Sequence, residues 1–268
     1  GRRLPTIVTC RAKWEGGLFD GAEEERLRIL QQALELGAEY VDVEWKAGLD
    51  ELIKSRRGRN IVLSYHDFKE TPEDLKERYR MMRSTGAEVV KMAVYNNSLE
   101  DLLRVFELGG EGVDDRQVLI GMGPFGVSSR ILPDRFFSAW TYAGDSVSPG
   151  QISLDEMLNL YRVRSFSDGT SLYGVVGRPL VHSLSPAMHN AGFKEREIDA
   201  IYIPMEAVSV EDFWAFAKQM NLSGASVTAP FKEDVCLGIE PCDEVTKEIG
   251  SANTLKNVDG TWHGRNTD

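Results

Sequence analysis

Short apolar runs rich in β-branched residues alternate with amphipathic segments of helical period from Thr6 to about Arg164. This alternation is typical of parallel strands joined by crossover helices, so the sequence predicts an α/β fold of about six βα units. Amphipathic helices are predicted at residues 23–36, 72–85 and 98–108. The predicted strands lie at residues 6–11, 40–45, 61–66, 89–94, 118–123 and 139–144.

The βα pattern lapses between Arg164 and Thr170, where polar turn residues predict a linker. A second α/β unit follows the linker. The sequence therefore predicts two domains, at residues 1–165 and 172–268.

Turn and cap residues punctuate the second predicted domain. Ser185 is predicted to cap a helix whose first residue is Pro186, and Asp259 with Gly260 predicts a hairpin turn. Strands are predicted at residues 172–177, 201–204 and 225–230, and a further helix at residues 209–220.

The chain is acidic, with 31 Lys+Arg against 42 Asp+Glu and a net charge of −11. Because it has no dense basic block, neither nucleic acid nor an anionic membrane is a predicted partner, and small-molecule substrates are favoured. No apolar run approaches membrane-spanning length, and the first five residues lack the apolar core of a signal peptide. A soluble, cytoplasmic protein is predicted.

Cysteine and histidine spacing predicts neither a disulfide framework nor a metal site. Cys10, Cys236 and Cys242 form an odd set and are interpreted as reduced thiols. Histidines 182, 189 and 263 show no metal-ligand spacing with one another.

A glycine-rich segment, GMGPFG at residues 121–126, matches the G-x-G-x-x-G pattern of dinucleotide sites. Pro124 removes an amide hydrogen that a pyrophosphate would need. No cofactor-binding residue is predicted in this sequence.

Lys91 stands in the middle of the otherwise apolar run at residues 89–94. Burial favours the neutral form of a lysine amine, which can condense with a ketone to form an iminium. His66 ends the preceding predicted strand, where an imidazole could carry protons for the same reaction. Together with Arg11, these residues lie near carboxyl ends of strands, where α/β proteins assemble their sites. The alternative is a lysine that extends from a strand end to reach solvent.

Two series of motifs resemble known families. TCRAKWEGG (9–17), SYHDF (64–68), VKMA (90–93), SR (129–130) and SPGQ (148–151) together resemble type I 3-dehydroquinate dehydratase over roughly residues 4–164. HSLSP (182–186), VTAPFK (227–232), GSANT (250–254) and GRNTD (264–268) resemble the substrate domain of shikimate dehydrogenase over residues 172–268. Their order is that of the fused bifunctional enzymes, which act in plastids when the source is a plant.

The first resemblance implies a lyase of the shikimate pathway, with a TIM-type (β/α) barrel and no cofactor. It implies that Lys91 forms a Schiff base with 3-dehydroquinate, that His66 moves the protons, and that Glu15 orients His66. Three further residues are implied to contact the substrate: Arg11, Arg130 and Gln151.

The second resemblance implies reduction of 3-dehydroshikimate to shikimate by NADPH. Lys232 and Asp268 resemble its catalytic pair, close to the oxygen that gains or loses a proton. Four residues are implied to hold the substrate: Ser183, Ser185, Thr228 and Asn253. Val147, Leu184 and Ser226 stand where these families often have serine, lysine and asparagine, respectively.

The two resemblances suggest an interior segment of a longer bifunctional enzyme, because two opening βα units and a nucleotide-binding domain of these families are not matched in the chain. The barrel is then incomplete, the predicted dehydratase activity weakened and the dehydrogenase activity small or absent. Two alternatives use the same modules: a non-catalytic quinate or shikimate sensor, and the end of a fungal multifunctional enzyme. Retention of Lys91, His66, Lys232 and Asp268 argues against the sensor.

Overall fold

The computed structural model describes residues 4–111, 116–144, 148–167, 169–241 and 244–268. Its contacts divide the chain into two compact units. Unit 1 consists of Gly1–Tyr95, Arg104–Ile120 and Pro133–Thr141, and unit 2 consists of Asn96–Leu103, Gly121–Leu132 and Tyr142–Asp268. Cys242, Val147 and Asp168 of the predicted linker lie outside the described residues.

The first sheet has five strands in sequence order, and each of its first four strands pairs in parallel with the next of these four. Parallel neighbours in sequence order are what the βα pattern predicts. Five of the six predicted strands are thereby confirmed. The strands are β1 (Ile7–Thr9), β2 (Tyr40–Glu44), β3 (Ile61–Asp67), β4 (Val89–Tyr95) and β5 (Arg116–Met122).

Three of the helices that follow these strands begin and end close to the predicted limits. The predicted segments 23–36, 72–85 and 98–108 correspond to α1, α3 and α4. The helices of this part of the chain are α1 (Glu23–Glu35), α2 (Asp50–Ser55), α3 (Leu75–Ser84), α4 (Leu99–Glu107) and α5 (Val127–Ile131).

The two faces of the first sheet differ in chemistry. On one face Val43, Leu63 and Met92 pack with Leu30 of α1 and Met82 of α3 in a single apolar cluster. Each such side chain contributes roughly 1.5–3 kcal/mol by leaving water. This face fixes the register of the strands and therefore the placement of residues on the other face.

The opposite face carries charged and polar side chains. Glu44 pairs in register with Ser64, and Ser64 pairs with Lys91. Asp42 and His66 lie two positions from Glu44 and Ser64 on their own strands. Residues two apart on a strand share a face, so all five side chains point to the same side of the sheet.

The sixth predicted strand, at residues 139–144, is wrong because these residues form no strand. Ala139 N donates to Gln117 O at 2.8 Å, but the Leu119 amide donates to Ser138 Oγ at 2.9 Å. The Ser138 hydroxyl thus accepts from a backbone amide that a sixth strand would need as a donor, so the strand pairing does not continue.

Unit 2 contains a second, mixed sheet of six described strands in the order β7-β6-β8-β10-β11-β9. Strands β6, β7 and β8 pair in parallel, whereas β10 pairs antiparallel with β8 and β11. The strands are β6 (Ser171–Gly177), β7 (Ala200–Glu206), β8 (Gly224–Val227), β9 (Glu240–Pro241), β10 (Thr254–Val258) and β11 (Thr261–Arg265). The helices are α6 (Ser185–Glu195), α7 (Val210–Gln219) and α8 (Glu244–Ile249).

The second set of predictions is largely confirmed. Strands β6, β7 and β8 and helix α7 fall at the predicted places, and Asp259 with Gly260, both at positive φ, turns β10 into β11. The predicted cap of α6 is wrong: Leu184 occupies the N-cap position, Ser185 is the first helical residue, and the cap residue makes no side-chain cap hydrogen bond.

Within unit 2, the carboxylate of Asp212 caps two helix starts. It accepts from Leu99 N at 3.1 Å and Glu100 N at 2.8 Å at the beginning of α4, and from Val208 N at 3.0 Å before α7. Asp212 is only 8% exposed. A carboxylate at two helix amino termini satisfies donors that have no partner inside their own helix.

Cys10 and Cys236 are free cysteines. None of the helices among the described residues is both long and apolar enough to cross a membrane.

Candidate active sites

Lys91 projects from the middle of β4 and is 8% exposed. Its Nζ donates to Asp42 Oδ2 at 3.1 Å, an interaction buried in unit 1. The sequence predicted only apolar neighbours for this amine, and that prediction is wrong because a carboxylate lies beside it. Asp42 was missed, although a lone acid between Val41 and Val43 in a buried strand is an available signal.

Arg11 joins this pair to the neighbouring strands. Its Nη2 donates to Asp42 Oδ1 at 2.7 Å and its Nη1 to Ser64 Oγ at 2.8 Å. Ser64 Oγ in turn donates to Asp42 Oδ1 at 2.6 Å. Burial raises the pKa of Asp42, but the charges of Lys91 and Arg11 outweigh it, so the pKa lies well below its usual range.

His66 makes the second half of the cluster with Glu15. Glu15 Oε1 lies 2.9 Å from His66 Nδ1 and accepts from His66 N at 3.1 Å. Burial raises the pKa of Glu15 to about 7. Burial, followed by the charges of Lys91 and Arg11, lowers the pKa of His66 well below its ordinary value.

The imidazole of His66 is therefore neutral near pH 7. Above that pH the Glu15 carboxylate is ionised and accepts the Nδ1 hydrogen, which assigns the other ring nitrogen, Nε2, as a base. The ring also stacks on Phe68, with centroids 6.0 Å apart and planes 11° apart. Two contacts thus fix the orientation of the imidazole.

A short loop after β1 places Glu15. Glu15 N donates to Ala12 O at 3.0 Å, and Ala12 N donates to Glu44 Oε1 at 3.0 Å. A Cβ atom on Gly17 would lie 2.0 Å from Arg11 O, so the loop closes only with glycine there. Glu15 is 4% exposed as a result.

Four sequence-predicted residues, Arg11, Glu15, His66 and Lys91, are thus brought together in unit 1. Three residues that the sequence analysis did not single out complete the cluster: Asp42, Glu44 and Ser64.

Arg130 and Gln151 lie in unit 2. Arg130 is 2% exposed, and burial lowers its pKa to about 10. Its Nη2 donates to two neutral acceptors, Ser148 Oγ at 3.3 Å and Pro149 O at 3.4 Å. Gln151 N donates to Ser148 O at 3.0 Å, so the same turn carries both residues. A buried guanidinium of this kind is suited to an anionic ligand.

A second cluster surrounds Asp268, also in unit 2. Asp268 accepts from Lys232 Nζ through Oδ2 and from Asn253 Nδ2 through Oδ1, the latter at 2.8 Å. These hydrogen bonds lower the pKa of Asp268. A lysine and a carboxylate in contact can pass a proton to or from a bound oxygen.

These groups line an open cleft of about 420 Å³, a volume that suits a small polar ligand. The structure brings together every residue predicted for this site. His182 and Ser226 line the cleft as well, although the sequence analysis gave them no role. The predicted residues in the lining are Ser183, Ser185, Thr228, Lys232, Asn253 and Asp268.

The local fold explains the cleft. Thr228 N donates to Val176 O at 2.9 Å where β8 ends, and Ala252 N donates to Lys232 O at 2.8 Å. Asn253 Oδ1 accepts from Thr267 N at 3.1 Å, which brings the segment after β11 beside Asn253. Three chain segments therefore meet at the strand ends.

The first site combines a buried lysine, an imidazole and buried carboxylates on parallel strands, a set of groups suited to nucleophilic and acid–base catalysis. The family model described as type I 3-dehydroquinase matches residues 2–168, and the chain belongs to this family. The substrate binding domain of shikimate dehydrogenase matches residues 175–255.

Named relatives agree with both matches. The chain is 35% identical over 278 residues to the chloroplastic bifunctional 3-dehydroquinate dehydratase/shikimate dehydrogenase of Arabidopsis thaliana, covering 99% of this chain and 46% of that protein. It is 37% identical over 171 residues to the 3-dehydroquinate dehydratase of Methanocaldococcus jannaschii, covering 60% of this chain and 77% of that one. It is 30% identical over 276 residues to the pentafunctional AROM polypeptide of Lachancea thermotolerans, covering 99% of this chain and 17% of that one.

Solved structures show the same fold. The dehydroquinate dehydratase and shikimate dehydrogenase of S. pombe AroM superposes with a TM-score of 0.51 at 25% identity, over 99% of this chain and 53% of that one. The type I 3-dehydroquinate dehydratase of Clostridium difficile gives 0.54 at 27% identity, over 60% of this chain and 68% of that one. The chain spans about half the length of its bifunctional relatives.

Proposed function

We propose that the first site dehydrates 3-dehydroquinate to 3-dehydroshikimate through a Schiff base on Lys91, as a step of the shikimate pathway. The supporting observation is that Lys91 and His66 lie on one face of neighbouring strands and join one network of buried charges. The names of the relatives also favour an enzyme over a non-catalytic sensor built from the same modules.

In this mechanism Lys91 first gives a proton to His66 Nε2, and the free amine adds to the ketone. The hydroxyl group formed in this addition takes the proton from His66 and leaves as water, which yields an iminium that acidifies the adjacent C–H bond. His66 Nε2 accepts that proton. The electron pair then expels the hydroxyl group, which leaves as water after taking the proton back from His66. Water finally hydrolyses the iminium, which releases the product and regenerates the amine.

Neighbouring residues hold these two groups in place. Asp42 fixes the position of Lys91 Nζ, and Glu15 fixes the ring of His66. Arg11, Arg130 and Gln151 are proposed to contact the substrate, with Arg130 binding its carboxylate in a bidentate fork.

Reductive trapping tests this proposal. Borohydride with 3-dehydroquinate should reduce an adduct onto Lys91, which peptide mass spectrometry locates. K91M should abolish the adduct, whereas K54M should retain it, because Lys54 is 70% exposed on α2. Absence of an adduct in the full-length enzyme would overturn the assignment.

We infer that the second site binds 3-dehydroshikimate and shikimate, with Lys232 and Asp268 beside the oxygen that exchanges a proton. The cleft supports this, because its hydroxyls and amide suit a small polyhydroxylated acid. Shikimate should perturb the NMR signals of Asn253 and Thr228, and an N253A variant should weaken binding. Shikimate that leaves these signals unmoved would contradict the inference.

NADP is the proposed hydride donor for this reaction in the whole enzyme. The glycine-rich match at residues 121–126 does not fit it. A Cβ atom on Gly126 would lie 2.2 Å from Gly121 C, so these glycines pack against each other.

We further propose domain limits at residues 1–165 and 172–268, and a cytoplasmic location, or a plastid one in a plant. The family matches at 2–168 and 175–255 support the limits. The chloroplastic Arabidopsis thaliana relative supports the plastid alternative. Limited proteolysis that cuts between residues 164 and 172 would test the limits, and fractionation would test the location.

A further inference from the structure

Arg26 of α1 is a fully buried arginine, at 0% exposure, that the proposed mechanism does not use. Its Nε and Nη2 donate to Glu23 Oε2 at 2.9 and 2.7 Å, and its Nη1 donates to Glu44 Oε2. A buried charge is costly unless it is paired, so the position of Arg26 is tied to these two carboxylates.

Glu44 lies between two guanidinium groups. One carboxylate oxygen, Oε2, faces Arg26, whereas the other, Oε1, lies 3.2 Å from Arg11 Nη1 and accepts from Ala12 N at 3.0 Å. Glu44 is itself 0% exposed. Arg26 is therefore linked to the loop that carries Glu15 through the buried Glu44 carboxylate, and its Nη1 also donates to Cys10 O at 3.4 Å.

Arg11 is shared among several acceptors. Its Nη1 lies 3.8 Å from Glu15 Oε1, while its Nη2 donates to Asp42. In the electrostatic balance of Glu15, burial and the charges of Glu44 and Asp42 raise the pKa, whereas Arg11 and Lys46 lower it. The charged and titratable groups that face Glu15 are Arg11, Asp42, Glu44, Lys46, His66 and, through Asp42, Lys91.

We propose that Arg26 is a positioning residue for the Glu15–His66 pair and acts through Glu44 and Arg11. Arg26 neutralises one side of Glu44, which leaves Arg11 free to stay bonded to Asp42 and Ser64. Without Arg26, the full charge of Glu44 draws Arg11 Nη1 towards itself and repels the Glu15 carboxylate. Glu15 then takes up a proton at higher pH and no longer accepts from His66 Nδ1.

The test measures protonation directly, in the full chain, from the imidazole ¹⁵N signals of His66 as a function of pH. R26M should raise the midpoint of the Glu15 titration, as sensed by the Nδ1 signal of His66, by roughly one pH unit. E44Q should move it downward, and the R26M/E44Q double variant should match E44Q, because Arg26 has no charge to act through once Glu44 is neutral. R28M is the matched control, because Arg28 lies on the exposed part of α1 and donates only weakly, at 3.4 Å, to Glu24 O.

Turnover supplies a second readout, which rests on the proposed dehydratase function. At pH 7 the R26M variant should lose about five-fold in kcat with little change in KM, because a one-unit rise cuts the ionised fraction of Glu15 from a half to about a tenth. If R26M unfolds, E44Q alone still tests the path, because an unmoved midpoint in E44Q would show that the charge of Glu44 does not govern the protonation of Glu15.

The outcomes separate the two proposals. If the Glu15 midpoint read from His66 is unmoved in both R26M and E44Q, and only thermal stability falls, the positioning role is overturned. A moved midpoint without any borohydride adduct would overturn the dehydratase assignment and leave the role of Arg26 intact.

Discussion

Lys91 Nζ lies 3.1 Å from Asp42 Oδ2, so the proposed nucleophile is held by a buried carboxylate on the second strand along the sheet. The same carboxylate binds Arg11 through its other oxygen at 2.7 Å. Asp42 thus compensates two cations at once. Removing its charge should affect both the fold and the chemistry.

The first prediction concerns D42N. This variant should lose about 3–5 kcal/mol of unfolding free energy, because the buried Lys91 loses its carboxylate partner and Arg11 loses one of its acceptors. Because the pKa of Asp42 is lowered by folding, its contribution is present above pH 3.8 and is lost as pH falls further. Urea unfolding measures the loss of stability, and borohydride trapping measures the effect on the chemistry of Lys91. D50N, at the exposed start of α2, is the control, and equal stabilities for the two variants would contradict the prediction.

The second prediction concerns Glu15 and pH. Burial raises the pKa of Glu15 from 4.5 to about 7, so between these values the folded state binds more protons than the unfolded state. Stability therefore falls as pH rises through this window, by about 3 kcal/mol for a shift of this size. The E15Q variant does not titrate there, so its stability relative to wild type should increase over the same window.

Chemical denaturation at several pH values measures the difference in unfolding free energy between E15Q and wild type. His66 contributes with the opposite sign in both proteins, so its contribution largely cancels in this difference. E35Q, exposed on α1, controls for the substitution of an acid by an amide. A difference between E15Q and wild type that stays flat from pH 4.5 to 7 would show that burial does not hold the proton on Glu15.

The third prediction concerns Asp212 in unit 2. D212N should destabilise the protein by roughly 1–3 kcal/mol, because a carboxylate that accepts from Leu99 N and Glu100 N is replaced by a neutral amide. Hydrogen exchange should accelerate at those two amides before it does elsewhere in α4. E211Q is the matched control, since the neighbouring Glu211 is exposed, and equal exchange in the two variants would refute the cap.

Strand positions were predictable from sequence because burial of one sheet face imposes a period that a chain carries in its residues. Lys91 and His66 stood out because Lys91 interrupts an apolar run and His66 ends a predicted strand. The partner of Lys91 was harder to predict, because the pairing of Asp42 with Lys91 depends on the register of three strands rather than on local spacing.

The errors have equally local causes. Residues 139–144 are apolar enough for a strand, but the Ser138 hydroxyl already takes the Leu119 amide, and this competition is invisible in a periodic pattern. The sequence predicted the N-cap of α6 at Ser185, but Leu184 occupies the N-cap position and the helix begins at Ser185, a difference of one residue.

The fourth prediction compares two glycines. A Cβ atom on Gly126 would lie 2.2 Å from Gly121 C, which is backbone and cannot move aside, so G126A should cost about 1–3 kcal/mol or more. A Cβ atom on Gly192 of α6 meets nothing within 4 Å, and G192A should instead gain about 0.5–1 kcal/mol from the helix preference of alanine. Thermal unfolding of the two variants should therefore shift in opposite directions. A G126A variant as stable as wild type would show that Gly121 and Gly126 are not in contact, and the glycine-rich segment would again be open to a ligand.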